Sequence, residues 1–270
     1  MRIGTYNVLV PRDDKPNKAQ ESWESRKAAV VETIDSGFDL VGLQEVSSWP
    51  PHGQASYLVE ELGARGWAGY YPWVRKLFAD EFSERVPIFW RPELFTLLEE
   101  GQLFLSGWNQ AELALVPILE ARYASFVKLQ TVDGSVLWFY TLHLQHERLE
   151  ASAIESQFAR AKREEGQRVV AEHIRKHRAE GETAIVAGDF NASETSPVLF
   201  ELAGLENITA RAESVENWSF NSFHDWRHPE DSEHIDHVLI SGPGEVSEAS
   251  IVLSNSSDHH PVRAVLALSN

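Results

Sequence analysis

Cysteine is absent from this 270-residue chain, so neither a disulfide nor a thiolate metal site can form. No apolar run is long enough to span a bilayer. The first residues, Met1-Arg2-Ile3-Gly4-Thr5, lack the apolar stretch of a secretory leader. Together these absences lead to the expectation of a cytoplasmic protein. Positive charge is also scarce. Lys plus Arg number 24 against 41 Asp plus Glu, a net charge of −17 with His neutral. Such a surface repels polyanions, and grip on duplex DNA needs several cations on phosphates. The densest basic stretch, Arg160 to Arg178, is interleaved with Glu164, Glu165 and Glu172 and reads as a solvated helix face. Long nucleic acid is therefore not favoured, although a cleft containing Arg85 and Arg163 could still admit a strand. The phosphate-binding loop GxxxxGK[ST], the dinucleotide glycine fingerprint, HExxH and GxSxG are all missing. Nothing in the chain implies an obligate protein partner.

What is present is a core. The chain is 43% hydrophobic, enough for one large domain over residues 1–270. Strand-like runs at Arg2–Val10 and Asp39–Val46 flank a helical pattern at Arg26–Ile34. A second helix is expected at Gln54–Gly63. Extended runs follow at Tyr70–Val74, Arg85–Trp90, Thr96–Phe104, Ala124–Thr131 and Val136–Leu144, the last two joined by Asp133-Gly134, a hairpin signal. Helices are expected at Ser152–Arg178 and Ser196–Ala203. Strands are expected at Thr183–Ala187, Ser219–Phe223, Ile235–Ser241, Glu248–Leu253 and Val262–Leu268. There is no dividing linker and no repeat. The simplest architecture is α/β: two packed mixed sheets flanked by helices, a four-layer α-β-β-α sandwich.

Polar residues cluster where apolar runs end. Glu45 closes Leu40-Val41-Gly42-Leu43-Gln44; a carboxylate there suits magnesium ligation, and a solvated strand end is the plainer reading. Asp189 and Asn191 follow Ala184-Ile185-Val186-Ala187-Gly188. Period-two geometry would place both on one face if the strand continues, with Asp189 accepting a proton and Asn191 donating to a phosphoryl oxygen; a turn is the alternative. Asp258, His259 and His260 precede the last strand, and Asp236 could orient His259. His143 sits in Thr141-Leu142-His143 and could contact a phosphate or its leaving group, or be structural. A zinc site of His143 and His146 is conceivable, but carboxylates dominate the strand ends. Asn7 could position Glu45 or Asp189. Glu84, before Val86-Pro87-Ile88-Phe89-Trp90, is a supporting acid or simply exposed. Trp49, Trp73, Trp108 and Trp226 either shape a pocket or pack.

Read in order, Thr5-Tyr6-Asn7, Gly42-Leu43-Gln44-Glu45, Thr141-Leu142-His143, Gly188-Asp189-Phe190-Asn191, Ile235-Asp236-His237 and Ser257-Asp258-His259-His260-Pro261 resemble the endonuclease/exonuclease/phosphatase superfamily, whose members are similar to pancreatic deoxyribonuclease. The Pro-Ile-Phe-Trp-Arg pattern is similar to its small bacterial members. The resemblance implies the four-layer fold and divalent-metal-dependent hydrolysis of a phosphoester. It implies Mg2+, with Mn2+ as substitute, held by Glu45 with Asp258 near it and Asn7 in support. It further implies a water-activating Asp189, a positioning Asn191, a phosphate-binding His259 oriented by Asp236, a second histidine in His143 and a supporting Glu84. Where the family often has Asn-Thr-His-Leu-Asp-His, this chain has Thr141-Leu142-His143-Leu144-Gln145-His146, which alters hydrogen bonding around His143. The first expectation is a phosphodiesterase on a small or locally docked substrate. The alternatives are an endonuclease or exonuclease acting on DNA or RNA, and a non-catalytic phosphate-binding domain that keeps the fold.

Overall fold

The alternation of buried side chains along each strand explains the layering. In β1 (Arg2–Asn7), Ile3 faces one apolar cluster while Tyr6 faces another. In β7 (Val136–His143), Leu137 and Phe139 go one way and Trp138, Tyr140 and Leu142 the other. Strands buried on both faces must sit between two apolar layers. The computed structural model describes residues 1–11, 22–47, 53–72, 85–106, 121–147, 152–225 and 232–268.

Among these residues one sheet has seven strands and the other six. The first runs β10 (Ser214–Glu216), β12 (Glu245–Ile251), β13 (Val262–Ala267), β1, β2 (Leu40–Gln44), β4 (Ile88–Trp90) and β3 (Ala68–Tyr70). The second runs β5 (Phe95–Ser106), β6 (Arg122–Thr131), β7, β8 (Thr183–Asp189), β11 (Asp236–Ser241) and β9 (Glu206–Asn207). Each is mixed: β1–β2 and β7–β8 are parallel, while β1–β13 and β8–β11 are antiparallel. The inter-sheet core contains Ile3, Leu40, Ile88, Val127, Leu137, Ile185, Val238 and Val262. Helices α1 (Trp23–Gly37) and α2 (Gln54–Ala64) cover the outer face of the first sheet through Val30, Ile34, Leu58 and Leu62. Helices α3 (Ala153–His177) and α4 (Val198–Ala203) cover the second through Val170, Ile174 and Leu199. This is the four-layer α-β-β-α sandwich.

Helix α3 begins with Ser152, whose hydroxyl accepts from Glu155 N while the Glu155 carboxylate accepts from Ser152 N, satisfying two otherwise orphaned donors. The expected strand over 219–223 is absent. One edge of each sheet is instead formed by β10 and by β9, too short for periodicity to register, and Phe223 makes only isolated bridges to Glu233 and His259. No helix among the described residues is long and apolar enough to cross a membrane.

Candidate active site

Inward-facing positions change character at one end of the sandwich. Along β1 the inner face reads Ile3, Thr5, Asn7; along β7 it reads Leu137, Phe139, Thr141, His143; along β8 it reads Ile185, Ala187, Asp189. Three strands thus run from aliphatic to polar in one direction, and their polar ends meet. Register enforces the meeting: Asp189 pairs with His143 on one side and Asp236 on the other, and Asn7 pairs with Gln44.

The side chains converge on one carboxylate oxygen. Asp189 Oδ2 accepts from Asn7 Nδ2 at 3.0 Å and lies 3.6 Å from His143 Nε2 and 3.9 Å from His259 Nε2. The same Asn7 amide donates to Glu45 Oε1 at 3.2 Å, and Val10 N donates to Glu45 Oε2 at 2.9 Å. His259 Nδ1 is 2.7 Å from Asp236 Oδ2. Burial and the neighbouring Asp236 push the Asp189 carboxyl above the ordinary range, against the pull of His143 and His259. Burial also works against an ionised Asp236, but the adjacent His259 outweighs it and holds that carboxyl below its usual value. For His259 burial favours the neutral ring, yet Asp236, Asp189 and Asp258 raise it to about 10, so the imidazolium persists at neutral pH.

The backbone bends at both acidic corners. β2 ends at Gln44, and Glu45 takes φ 59°, in the left-handed region. β8 ends at Asp189, and Asn191 takes φ 49°. The alternation expected to place Asp189 and Asn191 on one face therefore does not operate. Instead Asn191 N donates to Asp189 Oδ1 at 2.8 Å, an Asx-type turn, and Asn191 Nδ2 donates to Leu144 O at 2.9 Å. Asp258 is half-buried beside His259 and accepts from Ser257 Oγ at 3.3 Å. Glu84 and the four tryptophans Trp49, Trp73, Trp108 and Trp226 lie outside the described residues. The chain thus brings Asn7, Glu45, His143, Asp189, Asn191, Asp236, Asp258 and His259 to one rim.

Several supporting residues escaped sequence reasoning. Buried Gln44 accepts from Thr5 Oγ1 at 2.9 Å and donates to Thr141 Oγ1 at 2.8 Å, tying the sheets together just below the site. Arg26, on α1, donates to the carbonyls of Val8, Leu9 and Ser256. Gln54 donates to Leu9 O and accepts from Ser47 N, so one amide holds the loops on both sides of Glu45. Ser222 Oγ accepts from the backbone N–H groups of Ile235 and Asp236, each at 3.0 Å. The available signal was a polar residue inside an apolar run, as at Gln44; for Arg26, Gln54 and Ser222 only tertiary proximity reveals the role.

Ligand atoms of Asp189, Asp236 and His259 all lie within 4.8 Å of one another, a cluster able to hold a divalent ion. The carboxylates and carboxamides around it contain no sulfur, which suits a hard cation. Within that cluster His259 Nδ1 and Asp236 Oδ2 engage each other, while the buried Asp236 Oδ1 has no hydrogen-bond partner among the described residues.

Solved structures share the whole fold. A mannosyl-6-phosphatase of Bacteroides thetaiotaomicron VPI-5482 is 20% identical, with a TM-score of 0.77 over 99% of this chain and 100% of its own. An endonuclease/exonuclease/phosphatase family protein of the same species is 20% identical, with a TM-score of 0.78 over 100% and 98%. D. rerio TDP2, complexed with a single-strand DNA product, is 17% identical, with a TM-score of 0.64 over 99% and 98%. No curated protein matches the chain in sequence. The model of the Endonuclease/Exonuclease/phosphatase family matches residues 4–259, so the chain belongs to that family and is a metal-dependent phosphoester hydrolase.

Proposed function

We propose that the substrate is a phosphodiester of a nucleic acid, DNA or RNA, with the whole of residues 1–270 forming one catalytic domain in a cytoplasmic setting. The observation that carries the chemistry is the convergence of Asn7, His143 and His259 on Asp189 Oδ2. The comparisons favour this nuclease-type alternative over the small substrate expected first: two of the three activities in the family's name are nucleolytic, and a full-length structural relative holds single-strand DNA.

Glu45, with Asn7 and Asp258, would hold Mg2+ or Mn2+. The Glu45 carboxylate is half-buried and takes hydrogen bonds from two neutral donors, which leaves its charge for a cation. When bound, the ion would neutralise a phosphoryl oxygen and the departing oxyanion. Asp189, with its raised proton affinity, accepts a proton from water as the water oxygen bonds to phosphorus and the ester oxygen leaves. The His259 imidazolium, held by Asp236, faces the growing negative charge. His143 is placed for the leaving group or a phosphoryl oxygen, and Asn191 for the nucleophile.

A second reading, a small phosphoester, rests on the net charge of −17 and on the mannosyl-6-phosphatase among the structural relatives. One comparison separates the two: supercoiled-plasmid nicking and oligonucleotide cleavage in Mg2+, beside a panel of small phosphomonoesters and phosphodiesters. The expected result is strand cleavage abolished by Asp189→Asn. Turnover confined to small esters would replace the nucleic-acid reading, and no metal-dependent turnover on any phosphoester would remove both.

A further inference from the structure

His237 lies on the face of β11 opposite to Asp236. The residue is 4% exposed, and its ring meets Phe190 edge-on, with centroids 5.2 Å apart. Its Nε2 is 2.8 Å from Ala192 O. A carbonyl only accepts, so Nε2 carries the proton and the lone pair is on Nδ1. That buried Nδ1 has no hydrogen-bond partner among the described residues. Beside it is His234, half-buried, and both of its ring nitrogens are likewise buried without a partner. The two ring centroids are 5.3 Å apart at an interplanar angle of 80°. Trp218 closes one side, 4.7 Å from the His234 ring.

Unpartnered buried nitrogens are costly, and three of them in two touching rings point to a missing ligand. The arrangement matches what a borderline cation requires. Two imidazoles on one tetrahedral ion, each with a bond of about 2.0–2.1 Å, place their ring centroids roughly 5 Å apart. A ligating histidine characteristically donates its other N–H to a backbone carbonyl, which fixes the tautomer, as Ala192 does here. The Asp236 carboxylate acts electrostatically on both and favours a cation there. Imidazole nitrogens select Zn2+ over Mg2+. We infer that His234 and His237 form a second metal site, for a borderline cation of the Zn2+ class with water completing the shell, separate from the oxygen-rich centre at Glu45 and Asp189.

The inference does not depend on the hydrolytic reading, and its test is a binding measurement. Zn2+ is titrated calorimetrically into the full chain in saturating Mg2+, which occupies the oxygen site. Co2+ replaces Zn2+ for visible absorption, and imidazole 15N spectra identify the ligated rings. The expected result is one Zn2+ event, weakened about tenfold or more in both His234→Ala and His237→Gln and unchanged in His173→Ala, a control on helix α3, with Zn2+-dependent shifts on His234 and His237. The Gln variant keeps a donor for Ala192, and circular dichroism checks that each variant folds. If one variant fails to fold, the wild-type 15N spectra decide. Equal Zn2+ affinity in wild type and His234→Ala, or shifts confined to His143 and His259, would overturn the assignment.

Discussion

Asp189 and Glu45 are linked by a single carboxamide, yet the proposed mechanism gives them separable tasks. Asn7 Nδ2 bridges Asp189 Oδ2 and Glu45 Oε1, so replacing either acid by its amide keeps the shape and removes charge. Asp189→Asn should retain divalent-metal affinity and lose about 10²–10⁴-fold in kcat, the range attributed to a positioned base. Glu45→Gln should fold normally and lose metal affinity about tenfold or more, since a hard cation needs the carboxylate charge. Calorimetric Mn2+ titration beside an activity assay tests both, and equal metal affinity in wild type and Glu45→Gln would refute the role given to Glu45. At this scale much was legible. Gly188-Asp189-Phe190-Asn191 and Ser257-Asp258-His259 stand out because charged side chains beside buried strands demand a partner. The way Asn191 reaches the site was not legible, because a positive φ at a non-glycine residue is set by the surrounding hydrogen bonds and leaves no mark in spacing.

The elements meet at one point of unusually close contact. Gly42 of β2 faces Thr141 of β7 across the inter-sheet space, and a Cβ at Gly42 would come within 2.3 Å of both Thr141 Cβ and Oγ1. The Gln44–Thr141 hydrogen bond lies beside this contact and needs the sheets at that separation. Gly42→Ala should therefore destabilise by about 1–3 kcal/mol, the usual cost of overpacking, read as a lower urea midpoint. It should also reduce turnover, since Glu45 and His143 ride on the displaced strands. An unchanged midpoint would contradict this account. Element positions were largely legible: strand alternation and helix periodicity anticipated β1, β2, β6, β7, β8, β11 and β13 and the four helices to within a few residues. The exceptions, β9 and β10, are two- and three-residue edges that exist because a neighbouring strand offers backbone partners, a property of the neighbour and not of the local sequence.

Across the whole molecule, charge and site pull in different directions. A surface of net −17 repels a nucleic-acid strand at long range, while the site is built to take a phosphate at contact. Cleavage of a single-stranded oligonucleotide should therefore show weak salt dependence. The log–log slope of kcat/KM against salt should be shallower than about −1.4, equal to two phosphate contacts at about −0.7 each. A much steeper slope would reveal a cationic cleft, of which Arg85 and Arg163 are candidate members. By itself the sequence determined the layered α/β architecture and the acidic and histidine-bearing strand ends, because periodicity and local polarity are written residue by residue, and it indicated the reaction class through the ordered motifs that resemble the family. Only the tertiary structure decided that Asp189 is the carboxylate on which Asn7, His143 and His259 converge, that Arg26 and Gln54 brace the loops around Glu45, and that His234 and His237 form a pair facing away from the reaction centre. Those relations depend on strand register and sheet separation, through which residues as distant as Asn7 and Asp189 come within hydrogen-bonding distance.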